Sequence, residues 1–398
     1  MKKPSRWTIA VLGVLVAAST VTAAATTATG KSTAKAKGPT IVIGAAVDLT
    51  SSMKPFDSPA LAGAQIQAAK LARSGGPNFV IKVCNHQLKR QKSCAAQLIQ
   101  QGAKIAIDTC DVEYGAAATQ EFINKGLLTI APCTTTDQMG PQRFGTKGKL
   151  AFTVGGTAQD EGSAEAEYAY SRGWRSAIVV KDNALVYFRN VSDAFAKRFQ
   201  ELGGKIVDRE AFASGDKTIG NVISKVAPMK ADVISFVTAF GELPQFVGGI
   251  RSAGNKTPIV NSWGGDGTYW NPRNPKVTEY YVNNYASSFG DDPNKAVNSL
   301  LKSLLAAKKV PYTASFALGA ATIDLLAAAL KKTGGSTNGS KLAAAFQGFH
   351  NQPTISGPVT FSAKLHSVTG RPWRIMKVQN NKETFLRMWK TKKVTTLP

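Results

Sequence analysis

The stretch Thr40 to Arg73, TIVIGAAVDLTSSMKPFDSPALAGAQIQAAKLAR, decides the architecture. Its opening "TIVIGAAV" is apolar and rich in β-branched residues, and it is too short for an ordinary helix, so it reads as a buried strand. A polar loop, "DLTSSMKPFD", follows. Ser58 as helix cap and Pro59 at the first helical position then open an amphipathic helix through Arg73. A strand that feeds a helix through a polar loop is the unit from which parallel sheets are built, because parallel neighbours need a crossover.

The unit repeats downstream. "NFVIKVC" is a strand and "SCAAQLIQQ" a helix; "AKIAIDT", "YGAAATQEFINK" and "LLTIAP" continue as strand, helix and strand. The pattern then restarts with the helix "DEGSAEAEYAYSR". After it come the strands "SAIVVKD", "GKIVDREAF", "ADVISFVTA" and "TPIVNSW", separated by the helices "NVSDAFAKRFQEL", "IGNVISKVAPM" and "LPQFVGGIRSA". Two late helices, "AVNSLLKSLLAAKK" and "YTASFALGAATIDLLAAALKK", and a strand-rich C-terminal stretch complete the chain. The expected class is α/β, with two Rossmann-like lobes of parallel sheet, and 398 residues with 43% hydrophobic content suffice for two cores.

The first residues have the pattern of an export signal. Lys2, Lys3 and Arg6 precede "WTIAVLGVLVAA", which is shorter than the run of about 20 apolar residues that spans a bilayer, and small residues near Ala25 suit cleavage. Residues 1–25 are therefore expected to be removed, and 26–39 to form a flexible basic leader. No cysteine adjoins the cleavage region, so a lipid attachment site is not expected, and the mature chain is placed in the periplasm or at the cell surface. Without the three basic residues of the signal, the net charge of +24 falls to +21. Such a surface could contact an anionic cell envelope or simply be solvated. Export and the lack of a recognition motif argue against nucleic acid.

Four cysteines, at 84, 94, 110 and 133, fit an oxidising compartment and allow three pairings. No C-x-x-C pair or histidine cluster supports zinc, and no cofactor is expected. His86, His350 and His366 are the only histidines, and none adjoins a G-x-S-x-G elbow. A phosphate-binding G-x-x-x-x-G-K-[ST] loop is missing, and Gly44 stands alone where a dinucleotide fingerprint needs a series. The chain is read as a non-enzyme. In parallel sheets ligands meet the carboxyl ends of strands, where helix N-termini offer unpaired N–H groups. The loops there, including "DTCDVEY", "PCTTTDQ", "KDNALVYF", "VTAFGE" and "NSWGGDGTYW", carry hydroxyls, carboxylates and aromatics, a mixture suited to holding a small polar molecule.

In order and spacing, "IVIGAAVDLTSS…GAQIQAAK", "IKVC…CAAQLI", "GLLTIAPCTTTD", "SAIVVKD…Y" and "DVISFVTAFGELPQFVGGIRSAG" resemble the type I periplasmic binding proteins, in the leucine/isoleucine/valine-binding branch of ABC-importer receptors. The resemblance runs from about Thr40 to Trp389. It implies two lobes joined by a three-stranded hinge, residues 40–155 with 284–360 forming the first and 156–283 with 361–398 the second. One small solute, an amino acid or amide-like molecule, would be clamped between them and passed to a membrane permease. An exported sensor or an envelope-binding module uncoupled from transport is the alternative, with an exported hydrolase behind both.

Carried over residue by residue, the resemblance puts Cys133 and Thr135, with Thr134 between them, at the ligand's charged groups; the bland reading is that the threonines cap a turn. Ser51 and Phe56 in the first loop, with Phe56 over the ligand, are expected to contribute, and so are Tyr187 and Phe240 from the second lobe. Asp266 is the only acid available to meet an ammonium, although the register could place Trp263 there instead. The loop "CDVEYG" departs from the family pattern. Asp111 and Glu113, with Tyr114, stand where small hydroxyls are usual; facing the cleft they would repel a carboxylate and favour an ammonium, amide or hydroxyl donor, and facing solvent they would do nothing. On this fold Cys84 is expected to pair with Cys94 across a loop, and Cys110 with Cys133 between consecutive strand ends.

Overall fold

The computed structural model describes residues 39–309 and 311–397; the expected export signal and nearly all of the leader lie outside the described residues. The chain begins with β1 (Thr40–Val47), α1 (Lys54–Arg73), β2 (Asn78–Asn85), α2 (Gln91–Gln100), β3 (Ile105–Ile107), α3 (Val112–Asn124), β4 (Leu128–Ala131), the short α4 (Pro141–Phe144) and β5 (Ala151–Thr153). These strands form one all-parallel sheet in the order β2-β1-β3-β4-β5.

After α5 (Ala158–Ser171) a second sheet is built from β6 (Ser176–Asp182), β7 (Lys205–Phe212), β8 (Val233–Val237), β9 (Ile259–Asn261) and β10 (Tyr280–Asn284), interleaved with α6 (Val186–Glu201), α7 (Ile219–Val226) and α8 (Glu242–Ser252). Next come α9 (Lys295–Ala306), α10 (Ser315–Lys332) and α11 (Gly339–Gln347), and the chain closes with β11 (Trp373–Gln379) and β12 (Lys382–Trp389). The second sheet runs β12-β11-β10-β9-β8-β6-β7, parallel except for the C-terminal hairpin. That hairpin turns on Asn380 and Asn381, with φ of 53° and 65°, a left-handed pair whose twist matches the strands it joins.

Helices α10 and α11 return to the first sheet, where Leu318, Ile323, Leu325 and Phe346 share a core with Ile41, Ile43, Ile105 and Phe152. The contact of α10 with α1 is close because glycines sit at the crossing. A Cβ on Gly319 would lie 1.8 Å from the Ala60 carbonyl oxygen, and one on Gly63 would lie 1.9 Å from that of Phe316.

Helix α1 starts four residues before the expected cap, at Lys54, and Ser58 and Pro59 lie inside it. Tertiary bonds make this possible. Pro59 cannot bond the Pro55 carbonyl one turn back, and that oxygen instead accepts from the Thr313 hydroxyl at 2.8 Å. Asp57, buried in the first turn, accepts from the Asp48 N–H, the Thr109 hydroxyl and the Cys110 N–H at 2.6–2.9 Å. The end of β1 and the loop after β3 are thereby tied to one carboxylate.

The chain passes between the sheets three times, and the passages lie side by side. Thr153 N–H donates to the His366 carbonyl at 2.9 Å and Val368 N–H to that of Gly155 at 2.9 Å. The Tyr285 hydroxyl accepts from Gly156 N–H at 2.9 Å. Arg374 on β11 and Asp292 form a buried ion pair at 2.9 Å, and Asp292 also accepts from Ser287 N–H in the second passage. Among the described residues no helix is long and apolar enough to cross a membrane.

Candidate functional site

The loops at the carboxyl ends of both sheets face each other and line a narrow cavity of about 20 Å³, partly open to solvent. The first sheet contributes Met53 and Phe56 from the loop and first turn after β1, and Cys110 and Asp111 from the loop after β3. The second contributes Leu185, Tyr187 and Phe188 at the start of α6, Ala239 and Phe240 after β8, and Trp263 and Gly264 after β9. Phe56 and Trp263 meet edge to face across the gap, with centroids 5.0 Å apart, and on the second sheet's side Phe240 meets Phe188 edge to face at 5.5 Å. The wall is therefore mainly apolar and rich in aromatic side chains, with few polar atoms to orient a ligand.

Asp111 is the ionisable carboxylate on this wall. It caps α3: its Oδ1 accepts from the N–H groups of Glu113 and Tyr114 at 2.8 and 3.0 Å. Burial pushes its carboxyl up to about 6 even though Tyr114 N–H and, more distantly, Arg143 favour the charge; neighbouring Glu113 adds to the rise. Glu113 points elsewhere. Its Oε2 accepts from Val186 N–H at 2.8 Å, spanning from the first sheet's helix to the second's. Tyr114 is half-buried against the first core.

Both disulfides join the expected partners, Cys84 to Cys94 with Cα atoms 5.6 Å apart and Cys110 to Cys133 at 4.8 Å. The latter bridge fixes the loop after β4 to the cavity's edge. Thr134 and Thr135 next to it are buried, and their hydroxyls bond within the protein: Thr134 donates to the Thr109 carbonyl at 3.3 Å, and Thr135 pairs with the Tyr285 hydroxyl at 2.6 Å. Ser51 is exposed and donates to Asp48 at 2.6 Å. Asp266 lies behind the wall. Its Oδ2 accepts from Ala314 N–H at 2.6 Å, burial raises its carboxyl to about 6, and Trp263 occupies the cavity side of that loop.

One functional group escaped sequence reasoning. Glu161, fully buried on α5, accepts from Trp263 N–H at 2.6 Å and from the Tyr187 hydroxyl at 2.8 Å, so a single carboxylate positions two aromatic wall residues. The signal available was an acid on an alanine-rich helix, "AQDEGSAEAEYAYS", most of whose residues turn out to be buried. Leu185, Phe188 and Ala239 belong to strand-end loops singled out in the sequence, although nothing marked them individually. Among the described residues no three or more potential metal ligands converge.

Residues 40–383 match the family described as periplasmic binding protein. Among curated relatives, the Leu/Ile/Val-binding protein BraC3 of Rhizobium johnstonii is 23% identical over 339 residues, covering 81% of this chain and 87% of that one. Among solved structures, the branched-chain amino acid transporter substrate-binding protein LivJ of Streptococcus pneumoniae, in complex with isoleucine, superimposes with a TM-score of 0.77 at 19% identity, over 88% of this chain and 100% of that one. An ABC transporter solute-binding protein of R. palustris in complex with 4-hydroxybenzoate gives 0.75 at 15% identity, over 90% and 98% of the two chains.

Proposed function

The chain belongs to the periplasmic binding protein family, and on that premise we propose that it is the extracytoplasmic receptor of an ABC importer, capturing one small organic solute between two lobes. The observation that carries this reading is the cavity at the carboxyl ends of both sheets, with walls drawn from each. A ligand there touches both lobes only when they are together, so its binding free energy favours the closed arrangement. A permease that discriminates closed from open then receives loaded receptor.

The lobes comprise residues 40–155 with 284–360 and residues 156–283 with 361–398, and the three adjacent passages between the sheets serve as the hinge. Few strands crossing side by side allow rotation with little loss of packing. Phe56, Tyr187 and Phe240 form the ligand's walls. Cys133, Thr134 and Thr135 shape the loop that the Cys110 bridge holds, and the Thr135–Tyr285–Gly156 bonds connect that loop to the hinge. Glu113 and Asp266 reach between segments of different lobes, to Val186 and Ala314, and stabilise the closed arrangement.

Native mass spectrometry of freshly purified protein tests this directly, since a tight ligand co-purifies and its mass gives its class. Adding that ligand back to stripped protein should raise the melting temperature and reduce the radius of gyration. A wide screen of amino acids, amides and aromatic acids that moved neither quantity would count against the receptor reading.

A further inference from the structure

Two polar groups on the cavity wall have hydrogen-bonding capacity left over among the described residues. The indole Nε1 of Trp263, a residue only 3% exposed, is buried without a hydrogen-bond partner among the described residues. The Asp111 carboxylate engages the α3 N–H groups through Oδ1 alone, which leaves Oδ2 outside the cap. Everything else lining the cavity is apolar or aromatic, or, for Tyr187, has its hydroxyl committed to Glu161. A buried donor or charge in such surroundings costs free energy until something pairs with it.

We propose that the cavity takes a molecule with an apolar or aromatic body whose amide or amine N–H donates to Asp111 and whose acceptor meets Trp263 Nε1, and that Asp111 rejects a carboxylate in that position. This rests on the receptor reading above and narrows its ligand class. Charge repulsion in a water-poor pocket supplies the rejection, and a charge-assisted hydrogen bond supplies the selection. The aromatic faces of Phe56, Phe188, Phe240 and Trp263 pack the body and favour a cationic amine further.

The charged and titratable groups around Asp111 are Glu113 and Tyr114 on its own helix, Arg143 on α4, and Tyr187 across the cavity. Burial in this closed arrangement pushes Asp111 up to about 6, and a donor-bearing ligand favours its ionised form. Affinity for an amine therefore rises as pH increases from 5 to 7, and affinity for a carboxylate falls over the same range.

The experiment uses matched series on two bodies: benzoate, benzamide and benzylamine, and isovalerate, isovaleramide and isopentylamine. Affinities are measured by calorimetry for the stripped wild type and for Asp111→Asn. Asparagine also caps helices well, and circular dichroism checks that the variant is folded. The amide or amine of a series should bind about tenfold or more tighter than its carboxylate at pH 7, and Asp111→Asn should erase that preference and the pH dependence. The variant keeps Glu161 and Asp266, so their titration cannot account for the loss. A carboxylate that binds tightest to wild type, with Asp111→Asn changing nothing, overturns the inference and leaves the receptor reading intact. If no member of either series binds and no solute co-purifies, both readings fall.

Discussion

Glu161→Gln should stabilise the protein progressively as pH rises. Glu161 is fully buried, and one helical turn on lies Glu165, whose two oxygens are buried with no partner among the described residues. Burial holds the Glu161 carboxyl up at about 8, against the hydrogen bonds from Trp263 and Tyr187, and also raises that of Glu165 well above its ordinary value. In the unfolded chain a glutamate titrates near its ordinary value of about 4.3. Between those two values the folded protein retains a proton that the unfolded chain has released. Stability from this group is thus complete at low pH and is lost as pH rises, by about 1.4 kcal/mol per unit for one fully separated titration.

Glutamine has nearly the same shape and cannot ionise. Its carbonyl can accept from Trp263 N–H while its amide donates to the Tyr187 oxygen. Urea melts followed by circular dichroism should therefore show a small difference between variant and wild type at pH 5 that widens by roughly 3 kcal/mol at pH 8. Asp57, Asp108 and Asp266, also raised by burial, are present in both proteins and cancel in the difference. A gap that stayed constant, or a variant that lost ground with rising pH, would show that Glu161 is ionised in the folded state and refute the reasoning. Glu161→Ala separates charge from bonding. It strands two buried donors and should be less stable than Glu161→Gln by about 2–6 kcal/mol at every pH.

Three further outcomes can be read by denaturant melts. Replacing Cys110 and Cys133 together by alanine opens a loop with a sequence separation of 23, which the chain-entropy relation values at about 3 kcal/mol; non-reducing peptide mapping should also recover Cys84–Cys94 and Cys110–Cys133 as the only bridged pairs. Gly319→Ala would force a Cβ to 1.8 Å from the Ala60 carbonyl, so α1 and α10 must separate, at a cost of roughly 1–3 kcal/mol or more. Arg374→Ala leaves Asp292 charged and buried without its guanidinium and should cost about 3–5 kcal/mol, whereas adding Asp292→Asn, which removes the charge and can still accept from Ser287 N–H, should recover part of the loss.

The elements that were legible in the sequence are those with both a period and a stop signal. Strands β1, β2 and β6 and the helices between them were readable because apolar runs end in polar loops. Strand β5 spans only Ala151–Thr153 and β10 reads "YYVNN", so neither has room to show alternation, and both are strands because neighbours pair with them. The start of α1 was misread for a different reason. Local rules put a cap at Ser58, but Thr313 and Ser315, more than 250 residues away in sequence, satisfy the carbonyls of Pro55 and Phe56 and let the helix begin earlier. Long-range partners of this kind leave no trace in a local window.

The same limit governs the site. In sequence, Asp111 and Glu113 are equivalent acids in one loop, and the reading could say only that acids facing the cleft would choose donors. Their division of labour follows from helix geometry: Asp111 at the cap keeps its carboxylate beside the cavity, while Glu113 in the first turn projects outward to Val186 at the start of α6. Asp266 and Trp263 divide likewise within the loop after β9. The acid turns inward to Ala314, and the indole takes the wall. An ammonium expected to meet Asp266 would instead find an aromatic face and, across the cavity, Asp111. The acid on the wall has thus passed from the second sheet's loop to the first's, beside the bridge of Cys110 and Cys133. A ligand oriented by that acid would present its donor to the first sheet and its apolar body to Tyr187, Phe188 and Phe240 of the second, the orientation in which an acceptor on the ligand can also meet the indole N–H of Trp263, unpartnered among the described residues.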